Sequence, residues 1–283
     1  MSGDAVAPGS EDSRQASAVP LVDAHVHLLP ERLAAAIRRF FIDTGAGGYV
    51  HYPYQHVAAR EALRAAGVTR CWTLPYTHKP GLAAGLNRWM AETFGDDELI
   101  IPGATVHPAD DVGAVVSEAL GALRLGVVKL HCSVGDFSPD DPRLEPLWRA
   151  VSASGDPVVV HAGHAVDGTT TAAEIAAIGR VARRWPEARI VVAHCGAPAV
   201  DATLALLRAA PAVHADLTPI GPRLAAISRA GITGLERRLL FGSDVPNVGV
   251  PIETAVAHVR ALGLPPDDEA AILGGNASRM TTK

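Results

Sequence analysis

Eight short apolar runs recur along the chain, separated by longer segments that repeat with a helical period. The runs are Val19 to Leu28, Thr69 to Tyr76, Leu99 to His107, Gly126 to Cys132, Pro157 to His161, Arg189 to Cys195, Ala212 to Leu217 and Arg238 to Asp244. Each is rich in Val, Ile or Leu and bounded by Gly, Pro or Asp, as strands buried on both faces are. The segments between them read as helices: Pro80 to Phe94, Asp111 to Leu125, Pro142 to Ala153, Thr171 to Trp185, Val200 to Ala209, Arg223 to Ala230, and finally Ile252 to Leu262. Such alternation predicts an α/β protein with a parallel sheet, and eight units predict closure into a (β/α)8 TIM barrel. A doubly wound open sheet is the alternative, but no Gly-x-Gly-x-x-Gly turn follows the first run.

The pattern gives one barrel domain over 19–283. Residues 1–18, rich in Gly, Ser, Ala and acidic side chains, read as a disordered tail; they lack the basic and apolar regions of a signal peptide. The first connection is the longest. It holds a helix from Pro30 to Ile42, a Gly/Tyr/His stretch, and a second helix ending at Ala66. Long βα loops lie over the active end of such barrels, so this one is a candidate lid or substrate wall.

Composition narrows the partners. The net charge is -5 with no basic block, so neither nucleic acid nor an anionic membrane is an expected partner. No apolar run approaches the roughly 20 residues that span a bilayer. A cytoplasmic protein acting on a small molecule is the expectation. Cys71, Cys132 and Cys195 are an odd count without a pairing pattern, which argues against a disulfide framework. Lysine is rare, with only Lys79, Lys129 and Lys283, and this makes Lys129 stand out.

The ionisable residues gather at the ends of the predicted strands. His25 and His27 end the first, His107 the third, His131 the fourth, His161 the fifth and His194 the sixth; His214 lies in the seventh and Asp244 ends the eighth. In a parallel barrel these ends converge on one face. The i, i+2 spacing of His25 and His27 points both imidazoles the same way, where neutral nitrogens can share one cation. Asp23 lies deeper on that face and is a candidate to orient a histidine. His161 and His194 each close a β-branched run and are followed two residues later by Gly, which leaves room for a ligand. Asp244 ends an apolar run, where a buried carboxylate needs a cation or several hydrogen bonds. Lys129 shares a face with His131. Three roles fit it equally: a CO2-carbamylated bridge between two metals, a contact to a substrate anion, or an ion pair with Asp244 or Asp216.

This ordered set resembles the amidohydrolase superfamily. The stretches Val-Asp-Ala-His-Val-His, Lys-Leu-His, Pro-Asp-Asp-Pro-Arg-Leu-Glu-Pro-Leu, Phe-Gly-Ser-Asp and Gly-Gly-Asn-Ala-Ser-Arg-Met are similar to amidohydrolase family 2, the branch related to aminocarboxymuconate-semialdehyde decarboxylase. The resemblance spans Val22 to about Met280. It implies a divalent metal, zinc first, held by His25, His27, His161 and Asp244, with a second ion if Lys129 is carbamylated. It implies that His194 contacts substrate or water, or takes that second ion. A homodimer is the assembly that related barrels suggest.

Three readings follow. The first is hydrolysis of an amide, lactone or ester by a metal-activated water, with Asp244 and His194 moving protons. The second is non-oxidative decarboxylation of an unsaturated or aromatic acid, with Lys129, His131, His164 and Arg143 as candidate clamps. The third is a metal-free lactonase or a non-catalytic ligand-binding barrel. His78, just after the second strand, is a further candidate for substrate contact.

Overall fold

The computed structural model describes residues 20–43, 52–163, 168–219, 227–247 and 249–281. Eight parallel strands follow one another in sequence order: β1 (Leu21–Val26), β2 (Val68–Thr73), β3 (Ile100–Thr105), β4 (Val127–Leu130), β5 (Val158–Val160), β6 (Ile190–Val192), β7 (Val213–Asp216) and β8 (Leu239–Leu240). The chain beyond β8 closes the ring onto β1. Ala24 N donates to Phe241 O (2.9 Å), His27 N to Val245 O (2.7 Å) and Asp244 N to His25 O (2.7 Å). The expected (β/α)8 TIM barrel is the fold. The ladders stop short of His27, His131, His161 and His194, which leave the sheet to form the rim, while His25 remains within β1.

Helices alternate with the strands as the periodicity predicts. α1 (Glu31–Asp43) and α2 (His56–Ala65) occupy the first connection. Around the barrel follow α3 (Ala83–Phe94), α4 (Val112–Val116), α5 (Cys132–Gly135), α6 (Glu145–Ser154), α7 (Thr171–Arg184), α8 (Val200–Ala209), α9 (Arg229–Ile232) and α10 (Ile252–Ala261). Most of the helix expected from Arg223, the tail before Val19, and the Gly/Tyr/His stretch through His51 lie outside the described residues.

Burial follows the two-residue period of a strand. Trp72, Ile101, Val127, Val159, Val191 and Leu240 form an inner cluster, one residue from each of six strands. Their strand neighbours Cys71, Ile100, Val128, Val158, Ile190 and Leu239 face the helices in the larger outer core. The inner parity carries the site upward. Two residues beyond Val127 is Lys129, then His131; two beyond Val159 is His161; two and four beyond Trp72 are Leu74 and Tyr76.

The lower end of the barrel is plugged by a segment with no strand counterpart, α11 (Pro266–Ala270) and α12 (Asn276–Met280), joined by a wide helical turn. Ala277 and Met280 complete the inner cluster. Gly274 presses on the Pro20 carbonyl so closely that a Cβ there would clash. Asn276 Nδ2 donates to Glu236 O (2.8 Å) and Leu239 O (2.6 Å). The Gly-Gly-Asn-Ala-Ser-Arg-Met stretch is thus a stopper, far from the histidine-bearing rim.

Candidate metal centre

The two ring nitrogens of each β1 histidine have separate tasks. His25 Nδ1 donates to Asp216 Oδ2 at 2.9 Å, and His27 Nδ1 donates to the Leu74 carbonyl at 2.6 Å. An imidazole that gives its proton outward presents a lone pair on the other nitrogen. The two inward atoms, His25 Nε2 and His27 Nε2, are 3.2 Å apart. Asp244 Oδ1 lies 3.0 Å from His27 Nε2 and 4.0 Å from His25 Nε2. Lys129 Nζ stands 3.1 Å from His25 Nε2, but His27 Nε2 and Asp244 Oδ1, 3.0 Å apart, are two acceptors that repel unless a cation joins them. The donor set therefore fits a divalent metal.

Backbone conformation aims these groups. Asp244 has φ 60° and His194 φ 56°, the left-handed region that costs non-glycine residues about 1–2 kcal/mol. Such conformations persist where surrounding bonds over-determine them. Asp216 supplies several of those bonds: its Oδ1 accepts from His194 N (2.9 Å) and Thr218 N (3.1 Å) while Oδ2 holds His25. At Gly242 a Cβ would collide with Thr218 Oγ1 and the His25 side chain, so the Phe-Gly-Ser-Asp turn needs glycine to bring Asp244 in. Asp23 Oδ1 accepts from His25 N and Ser243 N, both at 3.0 Å. It ties β1 to the turn after β8; the expectation that it orients an imidazole gives way to Asp216.

Electrostatics keeps the cluster poor in protons. Burial, then Lys129, lowers the His25 pKa well below its ordinary value. Burial and His25 bring His194 down to about 3. Burial dominates the lowering of His131 and His161 as well, followed by their neighbouring imidazoles. Lys129, fully buried, falls to about 8 through desolvation, against the pull of Asp216 and Asp244. Burial alone would raise the Asp244 carboxyl, but its contact with His27 and the nearness of His25 and His194 hold it well below the usual carboxylate range. Neutral imidazole and ionised carboxylate are the metal-binding forms.

The other expected residues divide. Lys129 Nζ reaches His25 Nε2 at 3.1 Å, inside the cluster. His194 packs against His25 at 4.9 Å between ring centroids, with its Nδ1 buried and unpartnered among the described residues. His161 stands beside the donors: its Nε2 donates to Gly163 O at 2.6 Å, and its ring stacks on His131 at 3.8 Å. Arg143 lies away from the rim, exposed, with Nε and Nη2 on the Asp141 carboxylate. Asp141 caps the turn that starts α6, so Pro-Asp-Asp-Pro-Arg-Leu begins a helix. His78 is exposed, and His164 lies outside the described residues. His107 Nε2 donates to Gly135 O (3.1 Å), a packing role.

Sequence reading left two residues without a firm place. Asp216 and His214 share a face of β7, but it is Asp216 that bonds His25, while His214 bonds Ala212 O lower on the strand. Tyr76 was missed. Its ring lies 5.2 Å from His27 and 5.0 Å from His131, and counting by twos from Trp72 would have found it.

Comparison with known proteins agrees with this architecture. An uncharacterised TIM-barrel protein from Bordetella bronchiseptica superposes with a TM-score of 0.73 at 21% identity, over 92% of this chain and 98% of the other. A 5-carboxyvanillate decarboxylase from Sphingomonas paucimobilis gives 0.67 at 18% identity, over 93% and 99%. An amidohydrolase from Burkholderia multivorans with bound zinc gives 0.61 at 17% identity, over 92% and 98%. These likenesses establish the fold. No curated protein matches the sequence. A family model described as amidohydrolase matches residues 22–280, and the chain belongs to the amidohydrolase family.

Proposed function

We propose that the protein is a metal-dependent hydrolase that cleaves an amide, lactone or ester bond of a small molecule. The observation that carries this is the convergence of His25 Nε2, His27 Nε2 and Asp244 Oδ1, with both outer imidazole nitrogens anchored. These residues would hold the ion, and His161 is the nearby imidazole able to complete the set. Zinc suits mixed imidazole and carboxylate donors, as manganese, iron or cobalt also do. Once bound, the cation supplies Lewis acidity that acidifies water and polarises a carbonyl.

The protein's own groups then handle protons and position. Asp244 is ionised at neutral pH, and with Oδ1 on the ion its Oδ2 can accept a proton. His194 is neutral, and its free Nδ1 can accept a proton or pass one to a leaving group. Asp216 keeps His25 in one tautomer. Lys129, held down to about 8 by burial, keeps an appreciable neutral fraction near neutral pH, the form that a carbamylated bridge requires.

Decarboxylation in the same cavity is the second reading, favoured by the fold shared with a decarboxylase. It needs a cationic clamp on the substrate. Arg143 pairs with Asp141 instead, and Lys129, inside the cluster, is the candidate cation among the described residues. Turnover of an ester, lactone and amide panel in oxygen-labelled water separates the two. Hydrolysis places one label in the carboxylate product, and Asp244→Asn should lower kcat/KM by at least about 10³-fold. Near-normal turnover in that variant would contradict the proposal, and release of CO2 from an aromatic or unsaturated acid added to the panel, with no label in the organic product, would move the assignment to a decarboxylase.

A further inference from the structure

Beside the donor cluster lies an apolar patch that the proton chemistry leaves unused. Leu29, Ala34 and Tyr76 are its buried members, and Leu33, Ile37 and Val134 pack on it while only partly buried. Leu33, Ala34 and Ile37 fall on one face of α1. Leu29 follows His27 by two residues and Val134 follows His131 by three, so the patch is built onto two of the rim imidazoles.

Tyr76 joins patch to site. Its ring is edge-on to His27, with an interplanar angle of 87°, and tilted at 50° against His131. The residue is 9% exposed, and no described residue hydrogen-bonds its hydroxyl. Burial, then the Asp244 carboxylate, pushes the phenol pKa up, so the hydroxyl remains a donor. The half-covered aliphatic groups thus meet the rim imidazoles through the Tyr76 ring.

We propose that Tyr76, with Leu33, Ile37 and Val134, forms an apolar subsite for the group attached to the reacting carbonyl, and that the Tyr76 ring selects substrates in which this group is flat and apolar. The proposal rests on the metal-centre reading above. Edge and face contacts to the ring, together with burial of apolar area, supply the preference.

The test is calorimetric titration of the full, zinc-loaded chain with benzohydroxamate and acetohydroxamate. The chelating headgroup is common to both probes, and only the tail differs. Benzohydroxamate should bind about tenfold or more tightly, and Tyr76→Ser should bring the two within about twofold while leaving zinc content and acetohydroxamate affinity unchanged. Val134→Thr, nearly isosteric, should narrow the ratio by about threefold, which keeps the test decisive if the serine variant fails to fold. Equal binding of the two probes by the native chain, or a ratio unmoved in the folded variants, would overturn the subsite and leave the metal centre standing. If neither probe bound the zinc-treated protein, the metal-centre reading would fall, and the subsite with it. A purely structural Tyr76 would lower thermal stability without moving the ratio.

Discussion

The β1–β8 side of the rim and its β4–β6 side are built from the same residue types to opposite ends. On the first, the outer nitrogens of His25 and His27 are fixed by Asp216 and the Leu74 carbonyl, Asp244 is held through its backbone N–H on His25 O, and their inner atoms converge. On the second, His131 and His194 each keep a buried Nδ1 without a partner among the described residues, and His161 bonds its own loop. A ligand set must be preorganised, because each degree of freedom left to it weakens the ion. A proton-transfer or substrate-binding wall must leave atoms available for what enters. On this difference rests our proposal that the first side holds an ion, completed by His161, while the rest of the second side handles substrate and protons.

That contrast breaks most clearly at His194. His194→Gln should retain the metal and lower turnover by about 10²–10⁴-fold, the usual range for a lost acid–base group. Loss of metal in that variant would move His194 to the holding side. Asp216→Asn should do the reverse. It leaves His25 without its carboxylate partner, so metal affinity, measured by competition with a chelator, should fall by about 10–100-fold. An unchanged affinity would make Asp216 a backbone brace for His194 and Thr218 alone.

The smallest effect concerns a histidine on neither side. Burial lowers the His214 pKa from 6.5 to about 4. Between those values the unfolded chain takes up a proton that the folded protein refuses, so stability is lost as pH falls from 6.5 through about 4. Chemical denaturation of metal-free protein across that window should show His214→Gln losing about 1–3 kcal/mol less than the native chain. An identical acid limb in the two proteins would mean that His214 titrates normally.

The sequence made the barrel legible because every buried strand had to be apolar on both faces, and eight such runs admit few other arrangements. It made the rim legible because histidines at strand ends share a face once the sheet is parallel. Depth along a strand was harder to read. His214 and Asp216 have the same parity on β7, and only the stagger between neighbouring strands sets Asp216 beside His25. Arg143 shows a different limit: it follows the fourth strand closely, yet a cap formed by Asp141 two residues earlier turns it outward. Tyr76 reads as an ordinary apolar strand residue until His27 and His131 are seen on either side of it.

The central claim is that the β1–β8 side holds a metal ion. Elemental mass spectrometry of the native chain and of a His25→Ala/His27→Ala variant, both purified without chelator, tests it most directly. The account predicts about one equivalent of a transition metal in the native protein, or about two if Lys129 is carbamylated, and almost none in the variant. A native protein that stays metal-free after incubation with zinc or manganese, or a variant that keeps its full complement, would contradict it.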